Sequence, residues 1–390
     1  MLKHNPIKIV YSIRYIATTN SMKLLLTSLL FFIALEVSSQ CNGSVELCNK
    51  KYNDVAYLTT HNSYSSSAAG FTFPNQNISI TEQLNSGVRG FMLDVYDLMG
   101  TPTVYHGSFV LGAEPLSNSL GIFEQFLNTN PNEIITIIFE CYVTANDIES
   151  EINTSGLNNY LFEKIPGIDW PTLQEMIDNN QRLIILTDKN DAAVSQGWYH
   201  YVWDHAVETH FSVNDPADFN NEFNRGDSLN DLFIFNHFIT NAVLGTGNET
   251  ASAIVNEYNF LMNRINENYL TTSKFPNFIT LDFIDLGEGL NVVNTLNANI
   301  LNTHDLNNNA TLFLIHPNPA SDFISISLPK NSVCSYDIVI YNQYGGKIIG
   351  FTDYTQKQLK INTTNYKDGI YYLGIDDGTS GMKITQLVIN

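Results

Sequence analysis

Short apolar runs alternate with amphipathic stretches through the first three quarters of the chain. Val55–Thr60, Arg89–Tyr96, Glu133–Tyr142, Arg182–Thr187, Asp231–Phe238 and Phe278–Phe283 read as strands. Glu133–Tyr142 is rich in isoleucine, the composition of a strand covered on both faces. Between the strands, Thr81 opens a helix after Ser79, and Leu120, Phe123, Phe126 and Leu127 share one helical face. Trp170–Asn179 reads as a short helix, Ala253–Tyr269 as a long amphipathic one and Gly289–Ile300 as the last. Alternation of this kind over about 250 residues predicts an α/β fold, a distorted β/α barrel of TIM type. The competing architecture is an open doubly wound sheet. Neither a Gly-x-Gly-x-x-Gly turn nor a Walker loop is present to support it.

The pattern changes after Asn302–Asn309, a polar, asparagine-rich stretch. Phe323–Leu328, Tyr336–Tyr341, Lys347–Phe351, Gln358–Ile361, Gly369–Ile375 and Lys383–Ile389 alternate as strands do. Turn signals such as Tyr344-Gly-Gly346 and Lys367-Asp-Gly369 separate them. This predicts a small all-β sandwich. The expected division is residues 1–40 as an upstream extension and signal peptide, 41–301 as the barrel, 302–311 as a linker and 312–390 as the β-domain.

Composition narrows the setting. A 390-residue chain that is 44% hydrophobic has material for a large core. A net charge of −20 disfavours nucleic acid and anionic membrane surfaces, both of which carry phosphate charge. Lys23–Leu35 is an apolar run behind one lysine, followed by small polar residues. It reads as a signal peptide beginning at Met22. The run is short for a membrane span, so no transmembrane segment is expected in the mature chain, although an N-terminal anchor is the competing reading. Gln40 is not the small residue that lipoprotein processing at Cys41 prefers. In an exported chain, Cys41 and Cys48 read as a local disulfide, whereas Cys141 and Cys334 read as free thiols.

The candidate chemistry sits at the ends of the apolar runs. His61 follows Val55–Thr60, and His106 lies in Val104-Tyr-His-Gly107. Asp94 and Glu140 end two further runs in the same way. Polar groups at several strand ends point to one site on one face of a barrel. Two imidazoles there can serve as general base and general acid, a pairing that suits cleavage of a phosphodiester.

Thr60-His-Asn-Ser63, Gly87-Val-Arg-Gly-Phe-Met-Leu-Asp94, Tyr105-His-Gly107, Asn130-Pro-Asn-Glu-Ile134, Trp170-Pro-Thr-Leu173 and Asn277–Phe283 resemble, in order and spacing, the X domain of phosphatidylinositol-specific phospholipase C. The resemblance covers about residues 41–300. It implies a secreted phosphoric diester hydrolase acting on a phospholipid or related phosphodiester, with His61 and His106 catalytic. It resembles the calcium-dependent pattern, which implies calcium held by Asn62, Asp94 and Glu140. Met92 stands where that pattern has a carboxylate, and a thioether is a poor ligand for a hard cation. Arg89 is expected to pair with a carboxylate in the barrel wall, and Lys189 and His237 are further candidates for the site. The competing class is a non-catalytic secreted or cell-surface binding protein on the same barrel.

Pro317-Asn-Pro-Ala-Ser-Asp322, Gly369-Ile-Tyr-Tyr372 and Lys383–Val388 resemble the C-terminal sorting domain of the type IX secretion system. The resemblance implies that secretion machinery as a partner and a secreted or cell-surface location. A monomer without nucleic-acid partners is expected.

Overall fold

The structure is a computed structural model that describes residues 40–191, 197–241, 246–303, 314–316, 318, 320–328, 335–378 and 382–389. The signal peptide expected at Lys23–Leu35, the start at Met22, Cys334 and most of the linker lie outside the described residues.

The N-terminal part is one sheet of eleven strands: β1 (Tyr57–Thr60), β2 (Gly90–Leu98), β3 (Thr101–Val104), β4 (Glu114–Pro115), β5 (Ile135–Cys141), β6 (Leu183–Thr187), β7 (Tyr199–Tyr201), β8 (Ala206–Thr209), β9 (Phe223–Gly226), β10 (Leu232–Asn236) and β11 (Phe278–Leu281). The path β7-β6-β5-β2-β1-β11-β10-β8 is parallel throughout. Eight parallel strands thus follow one another around a curled sheet in chain order. Among the described residues no ladder joins β7 to β8, so the barrel has a seam there. Antiparallel additions edge it: β3 and β4 extend β2, and β9 pairs with β8.

Seven α-helices are described: α1 (Ile80–Asn85), α2 (Leu116–Thr129), α3 (Ala145–Ser155), α4 (Leu173–Asp178), α5 (Glu249–Val255), α6 (Tyr258–Thr272) and α7 (Gly289–Thr303). Their starts are written in the chain. Ser79 with Glu82, Thr144 with Asp147 and Thr172 with Glu175 each form a reciprocal capping box, satisfying otherwise orphaned N–H groups. The expected helix over Ala253–Tyr269 is two helices, broken at Asn256–Glu257. Asn256 is fully buried, and its Nδ2 donates to the main-chain carbonyl of Asp282 at 2.8 Å. That tie to the loop after β11 competes with helix continuation.

Alternate residues of each strand face two cores. Phe91, Leu93 and Val95 of β2 pack outward with Leu120, Phe123 and Leu127 of α2. Tyr57, Ile138, Ile184, Leu186, Ile234 and Phe278 fill the barrel interior with Tyr52 and Trp170, and Met92 packs against them. Arg89 pairs with Glu133 at 2.7 Å in the wall, as expected. Cys41 and Cys48 are disulfide-bonded and Cys141 is free and buried.

The C-terminal part has β12 (Leu314–His316), β13 (Phe323–Ser327), β14 (Tyr336–Asn342), β15 (Lys347–Tyr354), β16 (Gln358–Asn362), β17 (Gly369–Asp376) and β18 (Lys383–Ile389). They form two antiparallel sheets, β12-β13-β16 and β15-β14-β17-β18. Ile324, Ile326, Ile338, Ile340, Leu373 and Leu387 bury their side chains in a shared core.

Candidate active site

A cavity opens at the carboxyl ends of the parallel strands, where β/α barrels carry their sites. Met92 and Asp94 of β2 line it, as do Ile138 and Glu140 of β5, Asp188 after β6, Glu208 of β8, Ile234 and Asn236 of β10, and His61 after β1. The period-2 alternation of strands explains the pairs: residues i and i+2 share a face.

His61 and Asp282, at the ends of the adjacent strands β1 and β11, meet with Nδ1 2.9 Å from Oδ1. Phe238 stacks on the imidazole, with centroids 3.9 Å apart and planes within 8°. His106 follows β3, and its Nδ1 lies 2.9 Å from Oδ2 of Asp94. The hairpin of β2 and β3 brings these two together, with Val95 opposite Val104 in the register. The site therefore contains two His–Asp dyads. An ionised carboxylate at Nδ1 selects the tautomer in which Nδ1 carries the proton, leaving Nε2 as proton acceptor.

Carboxylates crowd the cavity. Burial raises the Glu140 carboxyl above its usual range, and the negative charge of Asp94 adds to this. Burial likewise raises Asp188. The Tyr142 hydroxyl donates to Glu140 at 2.5 Å, and that bond, with burial, holds the phenol far above its ordinary range. Tyr142 also caps a stack: its ring lies 4.3 Å from Tyr96, which lies 4.2 Å from Tyr105. Arg225 of β9 is the cavity's guanidinium. It forks onto Glu208 at 2.5 and 3.2 Å and lies against Trp203 and Phe211 at 4.5 and 4.7 Å. Burial alone would lower its pKa, but the bond and charge of Glu208, with the charges of Asp188 and Glu140, together raise it. Gly226 has φ +83, and a Cβ there would meet the Ala206 carbonyl oxygen at 2.0 Å. Glycine is therefore needed to seat Arg225 against β8.

Among the expected site residues, His61, Asp94 and Glu140 line one cavity, and His106 joins it through Asp94. Asn62 is fully buried and is not part of the lining; its Nδ2 donates to Oδ1 of Asn75 at 3.2 Å. Met92 is part of the lining. Lys189 donates to the Val143 carbonyl and lines a different cleft, with His200 and His205. His237 is buried between Arg264 and the Val255 carbonyl, away from the cavity.

Asp188, Glu208, Arg225 and Phe238 line the cavity without having been expected there, and Asp282 was missed. Asp282 ends an apolar run as Asp94 and Glu140 do, so the same rule finds it. Arg225 carries no such signal, because it sits on a short edge strand outside the alternation.

Residues 47–297 match the family model of the PI-PLC X domain, and residues 314–390 match that of the secretion system C-terminal sorting domain. The first match spans most of the chain, and the protein belongs to the PI-PLC X family. It is 37% identical over 174 residues to a PI-PLC X domain-containing protein of Arabidopsis thaliana, covering 40% of this chain and 41% of that one. The chain thus spans under half the length of that relative. It is 27% identical to PI-PLC X domain-containing protein 1 of Arthroderma benhamiae, covering 66% of this chain and 89% of the relative. Among solved structures it is similar to the phosphatidylinositol-specific phospholipase C of Listeria monocytogenes, with 18% identity and TM-score 0.44. That similarity covers 64% of this chain and 94% of the other. The sorting domain marks an exported protein, secreted or held at the cell surface. No helix among the described residues is long and apolar enough to cross a membrane.

Proposed function

We propose that the barrel is a phosphodiesterase that cleaves a phospholipid, or a related polyol phosphodiester, by attack of a hydroxyl on the substrate's own head group. The pair of His–Asp dyads at one barrel mouth carries this reading. His61 is the more enclosed imidazole, its side chain 21% exposed against 35% for His106. In this reading His61 Nε2 takes the proton of the attacking hydroxyl as its oxygen bonds to phosphorus. The bond from phosphorus to the leaving alkoxide breaks, and protonated His106, nearer solvent, gives that alcohol its proton. Asp282 and Asp94 stabilise the imidazolium forms. Acid–base catalysis of this kind contributes about 10²–10⁴-fold.

The carboxylates favour a head group rich in hydroxyls, whose hydrogens Glu140 and Asp188 can accept. They oppose a phosphate, and Arg225 is already paired with Glu208. A hard cation would relieve that opposition. The donor chemistry of Asp94 and Glu140 fits calcium, whereas Asn62 does not line the cavity and Met92 offers sulfur. Among the described residues no preformed group of three His, Cys, Asp or Glu has metal spacing. We therefore infer weak calcium binding at Asp94 and Glu140, completed by water and substrate oxygens. Calcium there would offset phosphate charge.

Family membership makes phosphatidylinositol the first substrate to try. Release of head-group phosphate from phosphatidylinositol vesicles is expected from the purified chain. His61→Ala and His106→Ala should each lower it by roughly 10² or more while the melting temperature holds. Either variant within a few-fold of the parent would remove that histidine from the mechanism. A folded parent without turnover, with and without calcium, would leave the non-catalytic class.

A further inference from the structure

Two residues in the loop between β1 and α1, Asn75 and Gln76, tie together the strand ends that carry His61 and Asp282. Both are buried, at 2% and 0% exposure. Asn75 Nδ2 lies 3.1 Å from each oxygen of Asp282 and 3.4 Å from His61 Nδ1. A protonated Nδ1 cannot accept from that amide, so the amide hydrogens go to the carboxylate. Asn75 Oδ1 accepts from Asn62, and its main-chain carbonyl accepts from Phe283 N–H at 2.8 Å. Gln76 Nε2 donates to the carbonyls of His61 at 2.9 Å and Leu281 at 3.1 Å, and its Oε1 accepts from Ile284 N–H.

The backbone shows what these bonds hold. Asn62, the residue after His61, has φ +46, and Phe283, the residue after Asp282, has φ +48. Left-handed geometry in a phenylalanine costs roughly 1–2 kcal/mol and persists only where surrounding bonds impose it. Asn75 bonds both left-handed residues, one through its side chain and one through its carbonyl. Both turns aim the preceding side chain, His61 or Asp282, at the other.

We propose that Asn75 and Gln76 form a positioning clamp: Gln76 fixes the separation of the two strand ends, and Asn75 fixes the plane of the Asp282 carboxylate against His61. Asn75 touches no reacting atom in this assignment. Its action in catalysis rests on the reading of His61 as the base, but its action on the imidazole does not.

The test uses the full chain with Asn75→Ala and Asn75→Asp. Asn75→Asp keeps the shape and the acceptor for Asn62 but replaces the donor to Asp282 with an oxygen. Nitrogen NMR of His61 reads the tautomer directly, and turnover of phosphatidylinositol vesicles reads kcat and KM. A single Nδ1–H tautomer is expected in the parent and a mixture in both variants. Loss of orientation should lower kcat by roughly 10–100-fold with KM within about twofold. A folded Asn75→Ala variant with an unchanged tautomer and unchanged kcat would overturn the clamp. So would a fall in turnover that only tracks the folded fraction in thermal melts. If the parent turns over no phosphatidylinositol, the catalytic reading fails, and the NMR comparison alone decides the clamp.

Discussion

Asp94 faces two demands. It accepts the Nδ1 proton of His106, and its charge bears on Glu140, its register partner on the adjacent strand β5. A hard cation suits the second demand, and residue 92 decides how well. Met92 and Asp94 lie two apart on β2 and both line the cavity, so Met92→Glu would add a carboxylate on the same face. Calcium affinity measured by calorimetry should tighten by about tenfold or more, equivalent to about 1.4 kcal/mol. Equal affinity in parent and variant would mean that the cation does not sit against β2. His61 leaves the end of β1, as expected, whereas Asp94 lies in the middle of β2 and Glu140 one residue before the end of β5. Their period of 2 with Met92 and Ile138 puts both carboxylates on the cavity face. Asn62 follows His61 directly, but its left-handed backbone takes it out of the lining. Nothing in a one-dimensional pattern reports such a turn in a non-glycine residue.

At the scale of elements, the apolar strands were legible, the four-residue β1 and β11 among them, and the short polar ones were not. β5 announces itself with isoleucines, whereas β7 and β8 are three and four residues long and carry Tyr, His and Glu. These two strands flank the seam, where no ladder among the described residues supports their facing edges. Histidines pack there instead: His200 and His205 have centroids 5.4 Å apart, edge to face. Burial, and then the charge of His205, lowers His200 to about 4 from 6.5. Above pH 6.5 both folded and unfolded chains hold this ring neutral, and its contribution to stability is complete. As pH falls toward about 4, only the unfolded chain takes up the proton, so stability declines. The loss from His200 is on the order of 3 kcal/mol. His205 is lowered by burial too and acts in the same direction. Denaturation midpoints should therefore fall between pH 7 and 4.5, and His200→Gln should flatten the decline. An equal slope in the variant would place the acid sensitivity elsewhere.

The whole molecule contains cores that do not borrow from one another. The clusters of the barrel draw on residues between Cys41 and Leu296, and that of the sandwich draws on residues between Ile315 and Ile389. The change of period after α7, from alternating strands and helices to strands alone, was the most legible boundary in the chain, because two fold classes cannot share one hydrophobic pattern. No candidate catalytic residue lies in the sandwich, whose family match is a sorting domain. Removing residues 312–390 should therefore leave a barrel with the same melting temperature to within a few degrees. Its turnover of phosphatidylinositol vesicles should lie within about twofold of the full chain, since a side chain buried in one core is unaffected by deleting the other. Export should fail, with the truncated chain retained in the cell envelope while the full chain reaches the surface or the medium. Fractionation of cells carrying each form reads the second outcome, and melting and turnover of the purified proteins read the first. Loss of turnover in a folded truncation would show that the sandwich supports the catalytic barrel as well as addressing it.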